Sequence, residues 1–149
     1  MAEHTTDLGV ENYFGVDVVA DLVRRNQERY ASPTRRFEVL NLISDPLPAV
    51  DLALCRDCLV HLTFDQVRSA IRNMRDCGIR YLLTTTFSDL GVNVDIEMGD
   101  WRPLNYRLAP FEFPEPIEMI LEGCTEGAGA YWDKALGLWD LSEMGHLVD

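Results

Sequence analysis

Lysine is almost missing from this chain: Lys134 is the single one, and thirteen basic residues face twenty-five acidic ones, for a formal charge of −12. A surface that acidic excludes the phosphate backbone as a main partner and suits cationic or small neutral ligands. No run approaches the roughly 20 apolar residues of a membrane span, and the first dozen residues have no apolar signal-peptide core. A cytoplasmic protein without nucleic-acid or membrane partners is therefore expected. Internal repeats and low-complexity tracts are absent too, and 149 residues with 47% apolar content suit one packed domain. Cys55, Cys58 and His61 have C-x-x-C-x-x-H spacing, but no second paired motif completes a tetrahedral zinc set, so no metal is expected. The four cysteines read as buried small hydrophobes, and disulfides are not expected in the cytosol.

What is present is an alternation of strands and helices. Residues 51–61, DLALCRDCLVH, form an apolar strand that breaks into Arg56 and Asp57 and is followed by His61. Strands buried on both faces read as continuous apolar runs, and charges at the carboxyl end of one mark where a parallel sheet opens onto a crevice. Thr63 and Gln66 have the spacing of a capping box, so a helix begins at Phe64. Val67, Ala70, Ile71 and Met74 then place an apolar stripe against a sheet, with Arg68, Arg72 and Arg75 facing water. Gly78 ends the helix, and Ile79 to Phe87 reads as a strand parallel to the first, because a helical crossover joins them.

An earlier unit has the same form. Tyr13 to Val16 is a short apolar run ending in Asp17, and Val19, Leu22, Val23, Asn26 and Tyr30 share one face of a helix closed by Ser32-Pro33. Arg36 to Leu42 is a further strand ending at Asn41, and residues 44–48 turn the chain into the strand at 51. The order is that of an α/β protein. After Phe87, residues 88–116 show no clean period and form an irregular, ordered segment on the side of ligand entry. Ile117 to Leu121 and Ala135 to Trp139 are two more strands, joined by a short glycine-rich loop and so antiparallel neighbours. Trp101, Trp132 and Trp139 either line an acceptor pocket or pack; packing is the commoner fate of large aromatics.

These blocks together carry a resemblance. YFGVDVVADLV (13–23), DLALCRDCLVHL (51–62), YLLTTTF (81–87), the loop from Asn93 through Gly99-Asp100-Trp101-Arg102-Pro103-Leu104-Asn105, APFEFPEP (109–116) and DKALGLW (133–139) resemble, in order and spacing, one bacterial branch of the class I S-adenosylmethionine-dependent methyltransferases. The resemblance covers almost the whole chain. It implies a Rossmann-like, mostly parallel sheet whose C-terminal strand runs antiparallel, with S-adenosyl-L-methionine across the carboxyl ends of the first strands. Asp17 resembles the acidic residue that accepts from both ribose hydroxyls. Asn41 and Leu42 match the strand end near the adenine, and Cys55 and Arg56 match the strand end near the methionine portion and the methyl group.

The family's first strand and its GxGxG turn have no counterpart in the sequence; DLGV (7–10) echoes the turn but aligns just ahead of the YFGVD block. Glycines there let the backbone approach the cofactor, a role that residues with a Cβ fill poorly. The expectation is thus a single truncated methyltransferase-like domain over 1–149, with residues 1–12 as lead-in. In the family's order the absent strand is central, and the two unpaired edges it leaves invite re-pairing or a homo-oligomer.

The chemistry implied is in-line displacement of a methyl group from a sulfonium onto a small-molecule acceptor. His61 is the candidate base, since its unperturbed pKa lies near neutrality, and Asp57 orients it or contacts substrate. Simpler roles stand beside these: Asp57 paired with Arg56 or a backbone amide, His61 as a satisfied histidine before the helix cap, and Asp17 as a helix N-cap. The functional alternative is a truncated non-catalytic remnant, or a partner-binding domain with the same fold. A nicotinamide-binding Rossmann domain would need the same glycine-rich turn and has less support from the later blocks.

Overall fold

A computed structural model describes residues 9–144. Two separate sheets carry the fold. In the first, β1 (Tyr13–Asp17) leads through α1 (Ala20–Tyr30) into β2 (Arg35–Val39), and the strands pair in parallel from Tyr13↔Arg35 to Asp17↔Val39. Phe37 is buried between the rings of Tyr13 and Tyr30, at centroid distances of 5.8 and 6.5 Å. Gly15 makes that placement possible, because a Cβ there would sit 2.5 Å from the Phe37 ring. Of the apolar stripe expected on α1, Val23 is buried, while Val19 and Leu22 remain 52% and 38% exposed. The helix packs on β1 and β2 with one edge of its stripe, and the other edge meets solvent.

The second unit is a four-stranded sheet in the order β3 (Leu52–Cys55), β4 (Tyr81–Phe87), β6 (Lys134–Asp140), β5 (Glu118–Leu121). β3 and β4 are parallel; β6 runs antiparallel to both β4 and β5, so β3, β4 and β5 share one direction and the last strand opposes them. The crossover from β3 to β4 is α2 (Phe64–Asp76), which begins where the sequence predicts: the Thr63 hydroxyl accepts from the Gln66 N–H at 3.3 Å while Gln66 Oε1 accepts from the Thr63 N–H at 3.1 Å. Val67, Ala70, Ile71 and Met74 are fully buried against the sheet. Past the helix end, Gly78 takes φ +84°, a left-handed conformation that favours glycine.

The irregular stretch from 88 to 117 contributes as much to this core as the strands do. Leu104, Tyr106, Phe111 and Phe113 join Trp139 beside α2, and the Tyr106 ring lies 5.3 to 5.6 Å from those of Phe111, Phe113 and Trp139. Backbone without a ladder needs other partners when buried. Buried Arg102 donates to the carbonyls of Leu59, Val60 and Leu62, and Asn93 donates to those of Asn105 and Ala109 while accepting from the Asn105 N–H. Those side chains fix the segment in place of a strand or helix.

One departure from the sequence reading stands out. β3 is expected to be buried on both faces, but Leu52 and Leu54 are 44% and 57% exposed, and the half-buried Leu83, Leu136 and Leu138 with exposed Ile120 continue the same face across the sheet. α2 covers the opposite face, whereas α1 sits on its own two strands. Among the described residues, moreover, β1 pairs only with β2 and β3 only with β4, so one edge of each stays open. No helix of the described residues is long and apolar enough to cross a membrane.

Candidate functional site

The carboxyl ends of β3, β4 and β5 converge, and the reversed direction of β6 brings its first residue to the same rim: Lys134 stands in register with Phe87, the last residue of β4. Arg56 and Asp57 follow β3, and Glu122 follows β5. The chain therefore gathers four charges from three separate parts of the sequence. Lys134 Nζ lies 2.8 and 2.9 Å from the two carboxylate oxygens of Asp57 and 3.8 Å from Glu122 Oε2. Arg56 Nε donates to Glu122 Oε1 at 2.6 Å, and its guanidinium is 3.7 Å from Asp57.

The backbone prepares this cluster. Asp57 adopts φ +53°, a left-handed conformation rare for a residue other than glycine and best tolerated by Asp and Asn. Its N–H donates to Thr85 Oγ1 at 2.8 Å, which ties the bend after β3 to the middle of β4. Burial works to lower the pKa of the Lys134 ammonium, but the hydrogen bond and charge of Asp57, together with the charge of Glu122, raise it above the ordinary lysine value. Lys134 is thus a fixed cation rather than a proton acceptor at neutral pH.

Beside the cluster opens a cleft of about 250 Å³ lined by Asp57, Phe87, Trp101, Glu126, Tyr131 and Lys134. Its three rings pack edge to face, with centroids 5.2 Å apart for Trp101–Tyr131, 5.9 Å for Phe87–Tyr131 and 6.1 Å for Phe87–Trp101. Phe87 is buried and anchors the set, whereas Trp101 is 41% exposed.

The residues singled out in the sequence fall into three groups. Asp57 lines the cleft, and Arg56 stands in the charge cluster beside it. His61 is exposed, and its Nδ1 lies 3.0 Å from the Asp100 carbonyl, while both Asp57 oxygens serve Lys134, so the two candidates for acid–base work are held by different partners. The third group, Asp17, Asn41, Leu42 and Cys55, lies outside the cleft lining. Asp17 Oδ1 accepts from the Val19 N–H at 2.8 Å at the entry to α1, and the same carboxylate acts on Cys58, whose thiol pKa is raised by burial and then by that charge. Asn41 uses its acceptor oxygen on the Ile43 N–H at 2.9 Å, and the Leu42 carbonyl accepts from Asn73 at 2.8 Å. Cys55 is buried, and burial with the neighbouring Cys58 pushes its thiol up to about 12. Among the described residues, no three His, Cys, Asp or Glu side chains gather to hold a metal ion.

Lys134, Glu122, Glu126 and Tyr131 belong to this rim and are missed by motif reading, because Lys134 and Asp57 lie 77 positions apart. One signal was available: the only lysine of the chain opens an apolar strand, where a charge is unexpected without a partner.

No protein-family model matches the sequence, and no curated protein does. Solved structures do match in fold. An S-adenosylmethionine-dependent methyltransferase from Methanosarcina mazei superposes at a TM-score of 0.55 with 13% identity, over 84% of this chain and 79% of that one. The [4+2]-cyclase SpnF superposes at 0.58 with 17% identity, over 85% of this chain; the chain spans 65% of SpnF. At such identities the likeness is one of fold, and the protein has the Rossmann-like α/β fold of the S-adenosylmethionine-dependent methyltransferases.

Proposed function

We propose that the protein is a methyltransferase-like domain of a class I bacterial type, binding S-adenosyl-L-methionine across the carboxyl ends of β1 to β3 and a small-molecule acceptor in the aromatic cleft. The observation that carries this reading is the position of the cleft. It opens at the carboxyl ends of strands in an open α/β sheet, where such folds bind ligands. Bound there, the cofactor would supply an electrophilic methyl group. Asp17, half-buried at the end of β1, offers a carboxylate to the ribose hydroxyls. Cys55 and Arg56 would floor the methionine side. His61 keeps Nε2 for a proton while the Asp100 carbonyl engages Nδ1. Positioning accounts for much of the acceleration in such a displacement, since well-aligned reactants gain roughly 7–11 kcal/mol.

A second reading has its own observation. The family's glycine-rich turn has no counterpart in the sequence, and the glycine of β1, Gly15, packs against Phe37. With one edge of β1 and one of β3 open, a truncated, non-catalytic domain that pairs with a partner or another copy accounts for the same fold. Titration of S-adenosylhomocysteine into the purified protein separates the two. Saturable heat that weakens about tenfold or more in Asp17→Asn, consistent with loss of a hydrogen bond to a charged group, supports the first. Absence of heat and of any melting shift at millimolar ligand overturns it in favour of the second.

A further inference from the structure

We infer that the cleft selects an organic cation: an ammonium group carried on a small, compact body. The inference rests on the reading above only in taking this ligand as the acceptor, through a nucleophilic atom of its body other than the ammonium nitrogen, which has no lone pair to give; the binding itself follows from the cleft. Its volume of about 250 Å³ lies below the roughly 300–1,000 Å³ typical of pockets for drug-sized ligands, which limits the occupant to a small molecule.

The charges at the rim decide the sign of the ligand. Asp57, Glu122 and Glu126 face two cations, Arg56 and Lys134, and both cations are already engaged. Lys134 sits on both oxygens of Asp57, and Arg56 Nε on Glu122. An incoming anion would meet paired ammonium and guanidinium groups together with the exposed carboxylate of Glu126. A cation meets that carboxylate and three aromatic rings, whose faces attract positive charge. Phe87 is fixed by burial and Trp101 is 41% exposed, so the ring set is rigid at its base and accessible at its rim. The formal charge of −12 adds a long-range attraction of the same sign.

The test needs no cofactor. Choline and its neutral isostere 3,3-dimethylbutan-1-ol are titrated separately into the intact protein by calorimetry. Choline is expected to bind roughly 2- to 30-fold tighter than the alcohol, the range that a ring-face contact to a cation provides. Trp101→Leu should reduce that preference, and Glu126→Gln, an exposed substitution, should weaken choline and flatten its salt dependence. Equal affinities, no saturable choline binding, a preference unchanged in Glu126→Gln, or tighter binding of acetate would each overturn the inference. Choline binding without S-adenosylhomocysteine binding would count against methyl transfer and leave the cation site standing; the reverse result would do the opposite.

Discussion

The Asp57–Lys134 pair permits a quantitative prediction. Lys134→Met keeps the alkyl length and removes the charge; Asp57→Asn removes the other charge while keeping a residue that tolerates φ +53°. Two unit charges about 4 Å apart attract by about 4 kcal/mol at an effective dielectric near 20. Two effects reduce this. The lysine side chain is 9% exposed and has given up most of its hydration, and Asp57 at 38% is open enough for water to screen it. A net coupling of about 1–2 kcal/mol follows, and Lys134→Met alone, which leaves Asp57 and Glu122 facing only Arg56, should cost about 2–3 kcal/mol. The assay is a double-mutant cycle by urea unfolding. Because the folded lysine pKa is raised, the contribution is fully present below the ordinary lysine value of about 10.4 and is lost as pH rises through the higher folded value. Coupling should therefore be the same at pH 7 and pH 9 and decline above about pH 10.4. A coupling within about 0.5 kcal/mol of zero, the scatter expected of independent sites, would refute the reasoning.

Other predictions concern the core and its chemistry. Gly137→Ala would place a methyl group 2.4 and 2.5 Å from atoms of the Trp139 ring and should destabilise by about 1–3 kcal/mol in thermal melts; a variant as stable as the parent would show that the ring moves freely. The Asp140 carboxyl is held below the usual carboxylate range by the Ser142 hydroxyl at 2.6 Å, against some burial, and by Arg80 at 2.9 Å. Its contribution is present above the ordinary carboxylate pKa of about 3.9 and lost as pH falls through the lower folded value, so Ser142→Ala should move acid unfolding followed by circular dichroism to higher pH. An unmoved midpoint would count against that. Cys55, buried with its thiol pushed up to about 12, should resist alkylation at neutral pH until the protein unfolds, after Cys124 has reacted; equal rates in peptide mapping would contradict its burial.

Local features were the most legible in the sequence. The capping box of α2, its four-residue apolar stripe and the glycine beyond its end depend on neighbours a few positions away, and all three are realised. The antiparallel pairing of β5 and β6 followed from a short connection. What was not legible depends on distant partners. The apolar run of β3 implies burial but cannot state whether a second layer covers Leu52 and Leu54. Arg102 and Asn93 give no periodic signal, because each serves carbonyls of an irregular backbone that has no period itself. At the site, Arg56 and Asp57 were recognisable as charges ending an apolar strand. Their counterparts Glu122 and Lys134 required the knowledge that β6 enters the sheet beside β4 in the opposite direction.

The reliance of α2 on the irregular segment bears on synthesis at the ribosome. Val67, Ala70, Ile71 and Met74 share their core with Leu104, Tyr106, Phe111, Phe113 and Trp139, all encoded later. The helix therefore leaves the exit tunnel while most of the surface that will shield it is still inside the tunnel or unmade. For those tens of codons its apolar stripe is open to chaperones and to neighbouring nascent chains. Synonymous changes that slow translation after the helix has emerged, and before Trp139 has, would lengthen that interval without altering a single residue of the finished protein.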